Sequence, residues 1–255
     1  MPAHDSRTFY DELADDYHLI YPDWSASVVR QGAALDRVIL GELGPGARFV
    51  LDCSCGIGTQ AVGLATRGHR VIGADLSPHA VERAAREAAA RGHALAVVAA
   101  DMRRLPFDQD RFDVVLSADN SVAHLLTDTD LSEALASIRR VLRPNGLLVI
   151  TIRDYTEALA TRQRATPPQV AETPHGSVTI FQLWRWRGET DCYDFDHVQL
   201  LQNGGTRQLR TRSTTSRALT RDRLAQLALE TGFVHLRWHE PETTGFFQPL
   251  LTARC

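Results

Sequence analysis

Short apolar runs punctuate the N-terminal part of the chain, separated by longer stretches in which apolar side chains recur every three or four positions. The runs are Phe49-Val50-Leu51, Val71-Ile72-Gly73-Ala74, and residues 95–99, 114–117 and 147–152. Amphipathic stretches lie between them: a helix through Ala65, one over 78–91 and one over 131–142. Fully apolar strands alternating with such helices predict βαβ units, and hence a parallel sheet covered on both faces. An earlier helix is expected over 26–43, with Val29, Ala33 and Val38 near one stripe, ended by Gly44-Pro45-Gly46. Ser77-Pro78 supplies an N-cap followed by proline where a missing N–H costs nothing. Arg143-Pro144-Asn145-Gly146 stops the helix before the last run.

Beyond Arg153 the texture changes. Residues 156–176, with Pro167-Pro168 and Pro174, read as a loop. Three β-rich runs follow at 178–187, 192–201 and 206–216, separated by Arg187-Gly188 and Asn203-Gly204-Gly205, which predicts a three-stranded antiparallel meander. A helix over 220–230 and strands near 233–238 and 247–253 come last. The chain thus divides into an N-terminal helical segment (1–44), an α/β core (45–155), an inserted antiparallel region (156–217) and a C-terminal part that completes the core (218–255).

Composition narrows the chemistry. All 28 basic side chains of the 255 residues are arginine, so lysine Schiff bases, a PLP anchor and a P-loop lysine are excluded. A formal net charge of −3 argues against a general nucleic-acid partner. Cys53, Cys55, Cys192 and Cys255 form no C-x-x-C pair and have no histidine at zinc-finger spacing, so no metal site is expected. No apolar stretch follows the polar start or approaches the ~20 residues of a membrane helix. A reducing cytoplasm and no membrane partner are therefore the expectation. Nothing in the sequence reads out an oligomeric state.

The sharpest motif runs from Val50 to Thr59, with Asp52, Ser54, Gly56 and Gly58 between a predicted strand and a predicted helix. Small residues there let backbone N–H groups approach a ligand. A dinucleotide fingerprint would place a third glycine where Ala61 stands. Asp75, followed by Leu76, closes the second strand, where a carboxylate can accept both hydroxyls of a ribose. Asp101-Met102 follows the third strand and pairs an acid with an apolar side chain able to cover a ring. Each acid alone reads as a solvated loop residue; their succession on three strand ends points to a nucleoside-like ligand.

With Asp52-x-Ser54-x-Gly56-x-Gly58, Asp75, Asp101-Met102, Phe112-Asp113-Val114-Val115 and Leu142-Arg143-Pro144-Asn145-Gly146 in that order, the chain resembles the class I S-adenosylmethionine-dependent methyltransferases. The resemblance implies a Rossmann-like, seven-stranded, mostly parallel sheet with helices on both faces and the inserted meander as a lid. It implies S-adenosyl-L-methionine as cofactor, S-adenosyl-L-homocysteine as product, and a small-molecule substrate. The glycine loop would bind the methionine part, Asp75 the ribose, and Asp101 with Met102 the adenine.

Asp119-Asn120-Ser121-Val122-Ala123-His124-Leu125 and Arg153-Asp154-Tyr155 are similar to segments of the glycine N-methyltransferase branch, from which Asp154 departs by replacing Asn. The same comparison places Arg30 on the cofactor carboxylate. It also puts Tyr17 and Asp119 among the cofactor residues, and Asn120, His124, Arg153 and Tyr155 at the catalytic centre. Arg153 either grips an anionic group or pairs with Asp154 at the surface. His124 acts either as a base or as a loop-fixing hydrogen-bond partner.

Alternation places Val178, Ile180, Trp184 and Trp186 on one face of the meander, with Tyr193 and Phe195 on one face of the next strand. They would pack the insert onto the core or roof the substrate. Arg207, Arg210, Arg212 and Arg217 are read as guards of an edge strand, and Tyr10, Tyr17, Tyr21 and Trp24 as a lid or a helix seam. N-methylation of an amine, with or without a carboxylate, is the first expectation. O- or C-methylation of a secondary-metabolite precursor comes next, followed by a nucleotide-dependent oxidoreductase and a non-catalytic cofactor-binding protein.

Overall fold

The computed structural model describes residues 5–173 and 176–255; Met1 to His4 and Pro174, parts of two segments read above, lie outside it. The parallel units form as the sequence predicts. Strands β1 (Phe49–Asp52), β2 (Arg70–Asp75), β3 (Ala96–Ala99), β4 (Phe112–Ser117) and β5 (Leu142–Thr151) pair in parallel, and β11 (Leu250–Arg254) joins β5 antiparallel. With β10 (Val234–His239) at the edge, the order is β10-β11-β5-β4-β1-β2-β3. The chain leaves β1 toward β2 and β3, then returns to β4 on its other side. This reversal opens a crevice at the carboxyl ends of the strands.

Helices α2 (Trp24–Leu43), α3 (Thr59–Ala65) and α4 (Pro78–Ala90) cover one face, and α5 (Asp128–Val141) and α7 (Arg221–Glu230) the other. The α4 start behaves as its dipeptide predicts: Ser77 Oγ accepts from Ala80 N–H and Pro78 sits in the first turn. In α5, Thr127 caps the start, Asp128 and Asp130 occupy the first turn, and Arg139 and Arg140 the last, each sign favoured by the helix dipole. The stripe read in α2 is corrected. Trp24, Val28, Leu35 and Ile39 are buried, while Val29 is 61% exposed, because the seam starts at Trp24 and steps by three or four from there.

Helices α2 and α3 cross at Gly32 and Gly63; a Cβ on Gly32 would lie 2.6 Å from the Gly63 backbone, so the crossing admits no side chain.

Two segments gain structure that the sequence does not announce. Helix α1 (Ser6–Leu13) and a 3₁₀ turn at Tyr17–Ile20 precede α2. The stretch read as a loop holds α6 (Thr156–Thr161) and β6 (Gln169–Thr173), so the meander has four strands: β6, β7 (Gly176–Trp186), β8 (Cys192–Asn203) and β9 (Thr206–Arg217). Pro167 and Pro168 precede β6, which survives as an edge strand paired with β7 alone. A third cluster, with Phe9, Leu13, Tyr155, Ala158, Trp184, Tyr193 and Phe195 buried, joins α1 and the meander to the end of β5. Trp184, Tyr193 and Phe195 of the predicted aromatic face pack in this cluster, while Ile180, Tyr193 and Phe195 also line a cavity beneath it. Short α8 (Pro241–Thr244) leads back to β11. No helix among the described residues is long and apolar enough to cross a membrane.

Candidate active site

Two cavities meet at the crevice. One, of about 440 Å³, takes Ser54, Asp75, Leu76, Asp101 and Met102 from the ends of β1, β2 and β3. The other, of about 390 Å³, lies under β7 and β8 and includes Arg30, Asp119, Asn120 and Arg153. Tyr10, Tyr17 and His124 line both and form the partition.

The first cavity has the chemistry of an adenosyl site. Asp75 Oδ2 accepts from Gly56 N–H (2.8 Å) and Oδ1 from Ser77 N–H (3.0 Å), which orients a carboxylate whose remaining lone pairs suit ribose hydroxyls. Burial raises the Asp75 pKa, and these amides oppose the rise. Gly56 has φ +50°, and a Cβ there would meet nothing within 4 Å, so its backbone faces open space. Leu76 is 37% exposed on the cavity wall, apolar surface that a flat ring would cover. Met102 lines the same wall.

At the end of β3, burial works against ionisation of Asp101, yet Arg103 outweighs it and lowers the pKa. Its Nε and Nη2 clasp Asp101 (3.1 and 2.6 Å), and Nη1 reaches Asp130 of α5 (2.5 Å). Asp101 thus stays an acceptor, positioned by an arginine the sequence reading omitted.

Asp52, Gly56 and Gly58 support the loop and line neither cavity. Gly58, at φ +95°, starts α3, with 3.1 Å between a Cβ there and Ala84 of α4. Burial raises the Asp52 pKa to about 7, and its Oδ2 is sealed without a hydrogen-bond partner. Ser54 lines the cavity, its hydroxyl 3.0 Å from that of Ser117.

The second cavity gathers the rest. Asp119, at φ +56°, is half-buried between the hydroxyls of Tyr21 (2.8 Å) and Tyr17 (3.3 Å), which donate to Oδ2. Burial raises its pKa against these donors and the nearby Arg153. Arg30 is held by Ser27 Oγ (2.9 Å). Asp119 and Arg30 line the same cavity.

Asn120 is a clamp: its Oδ1 accepts from Arg153 N–H (3.0 Å) and its Nδ2 donates to Tyr155 Oη (2.7 Å). Tyr155 itself is 2% exposed, stands 3.0 Å from the Tyr193 hydroxyl and lines neither cavity, so its place beneath the chamber departs from the expected catalytic position.

Arg153 does not pair with Asp154. Asp154 turns outward to Arg221 (3.2 Å) and accepts from Thr156 N–H, whereas the Arg153 guanidinium lies 5.3 Å from the Trp184 ring centre and makes no ion pair among the described residues.

His124 Nδ1 lies 3.1 Å from the Thr215 carbonyl, which can only accept, so Nδ1 carries the proton. Nε2 then accepts from the Tyr10 hydroxyl (2.7 Å). Burial lowers the His124 pKa to about 4, against the Thr215 carbonyl. The sequence reads Tyr10 as part of a lid or a helix seam; its pairing with His124 carries no local motif.

The N-terminal segment is tied down over both cavities. Asp16 accepts from Arg210 (2.7 Å) and Arg212 (2.9 Å), and Ser77 Oγ donates to Asp11 (2.5 Å). Arg217 binds Asp128 and Asp191 (both 2.7 Å). Three of the four arginines read as edge guards are therefore internal ties: the acids they bind come from segments distant in sequence.

Comparison with known proteins fits this geometry. Residues 50–146 match the family model described as a methyltransferase domain. Over 157 residues the chain is 33% identical to a glycine/sarcosine N-methyltransferase of Parasynechococcus marenigrum, covering 61% of this chain and 54% of that one. A second, from Halorhodospira halochloris, is 30% identical over 60% and 56% of the two chains. The chain thus spans about half the length of the curated relatives it matches.

Among solved structures, the CcbJ methyltransferase of Streptomyces caelestis shares the fold with a TM-score of 0.77 at 22% identity, over 99% of both chains. DesVI of Streptomyces venezuelae does so with 0.75 at 19%, over 98% of both. Residues 50–146 therefore match a methyltransferase domain, and the chain shares its fold with solved methyltransferases. The residues around the first cavity fit S-adenosylmethionine.

Proposed function

We propose that the protein methylates an amine of a small molecule that also bears an acidic group. The observation that carries this is the partition: one cavity suited to an adenosyl group meets, at Tyr10, Tyr17 and His124, a chamber holding the unpaired guanidinium of Arg153. The similarity to two glycine/sarcosine N-methyltransferases supports the amine.

When bound, S-adenosylmethionine supplies an electrophilic sulfonium methyl. The chain's task is then to hold a nucleophile in line with it in a space closed to water. Arg153, its guanidinium 5.3 Å from the Trp184 ring centre, takes the acidic group as a two-toothed partner. The Tyr10 proton is committed to His124, so the phenol oxygen is left to accept an amine N–H at the partition and turn the nitrogen lone pair toward the methyl. Orientation of this kind supplies about 7–11 kcal/mol of barrier reduction.

The pair orients rather than deprotonates, because His124 with a pKa of about 4 is a weak base. That disfavours the O- or C-methylation reading, in which an alcohol or carbon acid needs a base worth about 10²–10⁴-fold. A neutral amine needs none.

Calorimetry with S-adenosylmethionine, followed by detection of S-adenosylhomocysteine with panels of amino acids, amines and phenols, tests the reading. Cofactor binding with turnover of carboxylate-bearing amines is expected. Absence of cofactor binding removes the reading, and turnover of phenols alone replaces it by O-methylation.

A further inference from the structure

The acceptor chamber contains a polar side chain for which the reading above has no use. His197, on β8, lines the chamber wall and is 4% exposed. Its Nε2 is sealed from solvent without a hydrogen-bond partner among the described residues. Buried polar groups in native proteins are almost always hydrogen-bonded, so a vacant one beside a ligand cavity calls for a ligand group. Burial, reinforced by the nearby charge of Arg212, lowers its pKa to about 4, so the ring is neutral at physiological pH. A neutral imidazole offers one donor and one acceptor, which a hydroxyl can match in either tautomer; a carboxylate is better served by Arg153.

Size points the same way. The chamber of about 390 Å³ has room for roughly a dozen waters at ~30 Å³ each. That is far more than glycine or sarcosine fills, even with the Arg30 and Asp119 end given to a methionine tail.

We propose that His197 is a specificity-determining residue of the acceptor chamber, reading a hydroxyl on an amine whose acidic group is held by Arg153, so that the acceptor is a hydroxylated amino acid larger than glycine. The inference rests on the methyl-transfer reading and deepens it. The nearest purely structural role for His197 is its edge-on packing against Phe9, with ring centres 6.4 Å apart, which a phenylalanine at 197 would keep.

D-glucosaminic acid and D-norleucine form a matched pair: the same carbon chain, amine and carboxylate, with and without hydroxyls. Calorimetry on the protein saturated with S-adenosylhomocysteine should show D-glucosaminic acid binding at least about tenfold tighter than D-norleucine, the difference one net hydrogen bond makes. His197→Phe should remove that preference by weakening D-glucosaminic acid alone. His197→Gln, which keeps a donor and an acceptor, should retain part of it. Both variants should bind S-adenosylhomocysteine as the parent protein does, which certifies the fold.

Equal affinity for the two acids in the parent protein, a preference that survives in His197→Phe, or glycine or sarcosine binding as tightly as D-glucosaminic acid would each overturn the proposal. Failure of the parent protein to bind S-adenosylhomocysteine would instead overturn the methyl-transfer reading beneath it.

Discussion

The cavity at the ends of β1, β2 and β3 and the chamber under β7 and β8 sit side by side yet are assembled in different ways. The first takes its strand-end carboxylates, Asp75 and Asp101, from loops after β2 and β3 and Ser54 from the loop after β1, and closes its wall with the N-terminal segment, residues 121–130 and Thr215. The second draws on α1, α2, the ends of β4 and β5, β7, β8 and the segment before β11, and works through side chains. In a site of the first kind the strand-end groups are held by the sheet itself. A site of the second kind exists only while separate elements stay docked, here through Asp16 with Arg210 and Arg212 and through the aromatic cluster under β7 and β8. The two halves should therefore fail separately when their own residues change, and together when the joint between them is disturbed.

The largest effect is expected at that joint. Gly32→Ala drives a methyl into the Gly63 backbone where α2, bearing Arg30, crosses α3, which follows the cofactor loop. Overpacking of this kind should cost about 3 kcal/mol or more, seen as a lower denaturation midpoint with both cofactor and acceptor binding impaired. Intact binding of either ligand would show that the halves are not coupled there.

Acidity should act next, with two signs. His124 at the partition and His197 in the chamber titrate near 4 when folded and near 6.5 when unfolded. The unfolded chain thus binds protons first, and the stability they contribute is lost as pH falls from about 6.5 to about 4.

At Asp52 the sign reverses. Asp52 titrates at about 7 when folded, against 3.8, so the folded chain keeps a proton longer and stability is lost as pH rises through that interval. Asp52→Asn should accordingly stabilise the protein at pH 8 by something on the order of 1 kcal/mol or more and have little effect at pH 4. A gain of equal size at both pH values would sink the assignment.

Asp75→Ala should weaken cofactor binding by roughly 1.5–3 kcal/mol, the usual worth of hydrogen bonds to a charged group. An unchanged dissociation constant would detach Asp75 from the ribose. Smaller again, Arg153→Ala should raise the acceptor KM about tenfold and leave cofactor affinity alone, since one half-exposed charged contact is worth about 1.5 kcal/mol. Loss of cofactor binding in that variant would mean that Arg153 serves Asp119 and the partition rather than the acceptor.

The contrast explains what could be read from the linear chain. Ser54, Asp75, Leu76, Asp101 and Met102 were legible because the alternation of strands and helices already puts successive strand ends on one rim. Arg103 was not, since a basic residue beside an acid carries no sign that it will clasp it. Tyr10 and Asp16 lay in a segment whose aromatics and acids follow no clear period. His197 was within reach: it shares the odd-numbered face of β8 with Tyr193 and Phe195, but a histidine on a buried face is commonplace until the cavity beside it is seen. The expected roles of Arg210, Arg212 and Arg217 missed because charge on an edge strand does not disclose its partner.

What the order of residues determined by itself was therefore the parallel sheet, its helical cover and the rim that faces an adenosyl group, because hydrophobic period, caps and turn residues act over a few positions. Tertiary structure decided the acceptor chamber: the fourth meander strand, the burial of Tyr155, the freedom of Arg153 and the Tyr10–His124 pair. Those depend on which distant surfaces come to share a desolvated space. Burial and pairing across such distances are properties of the packed chain, and no local pattern encodes them.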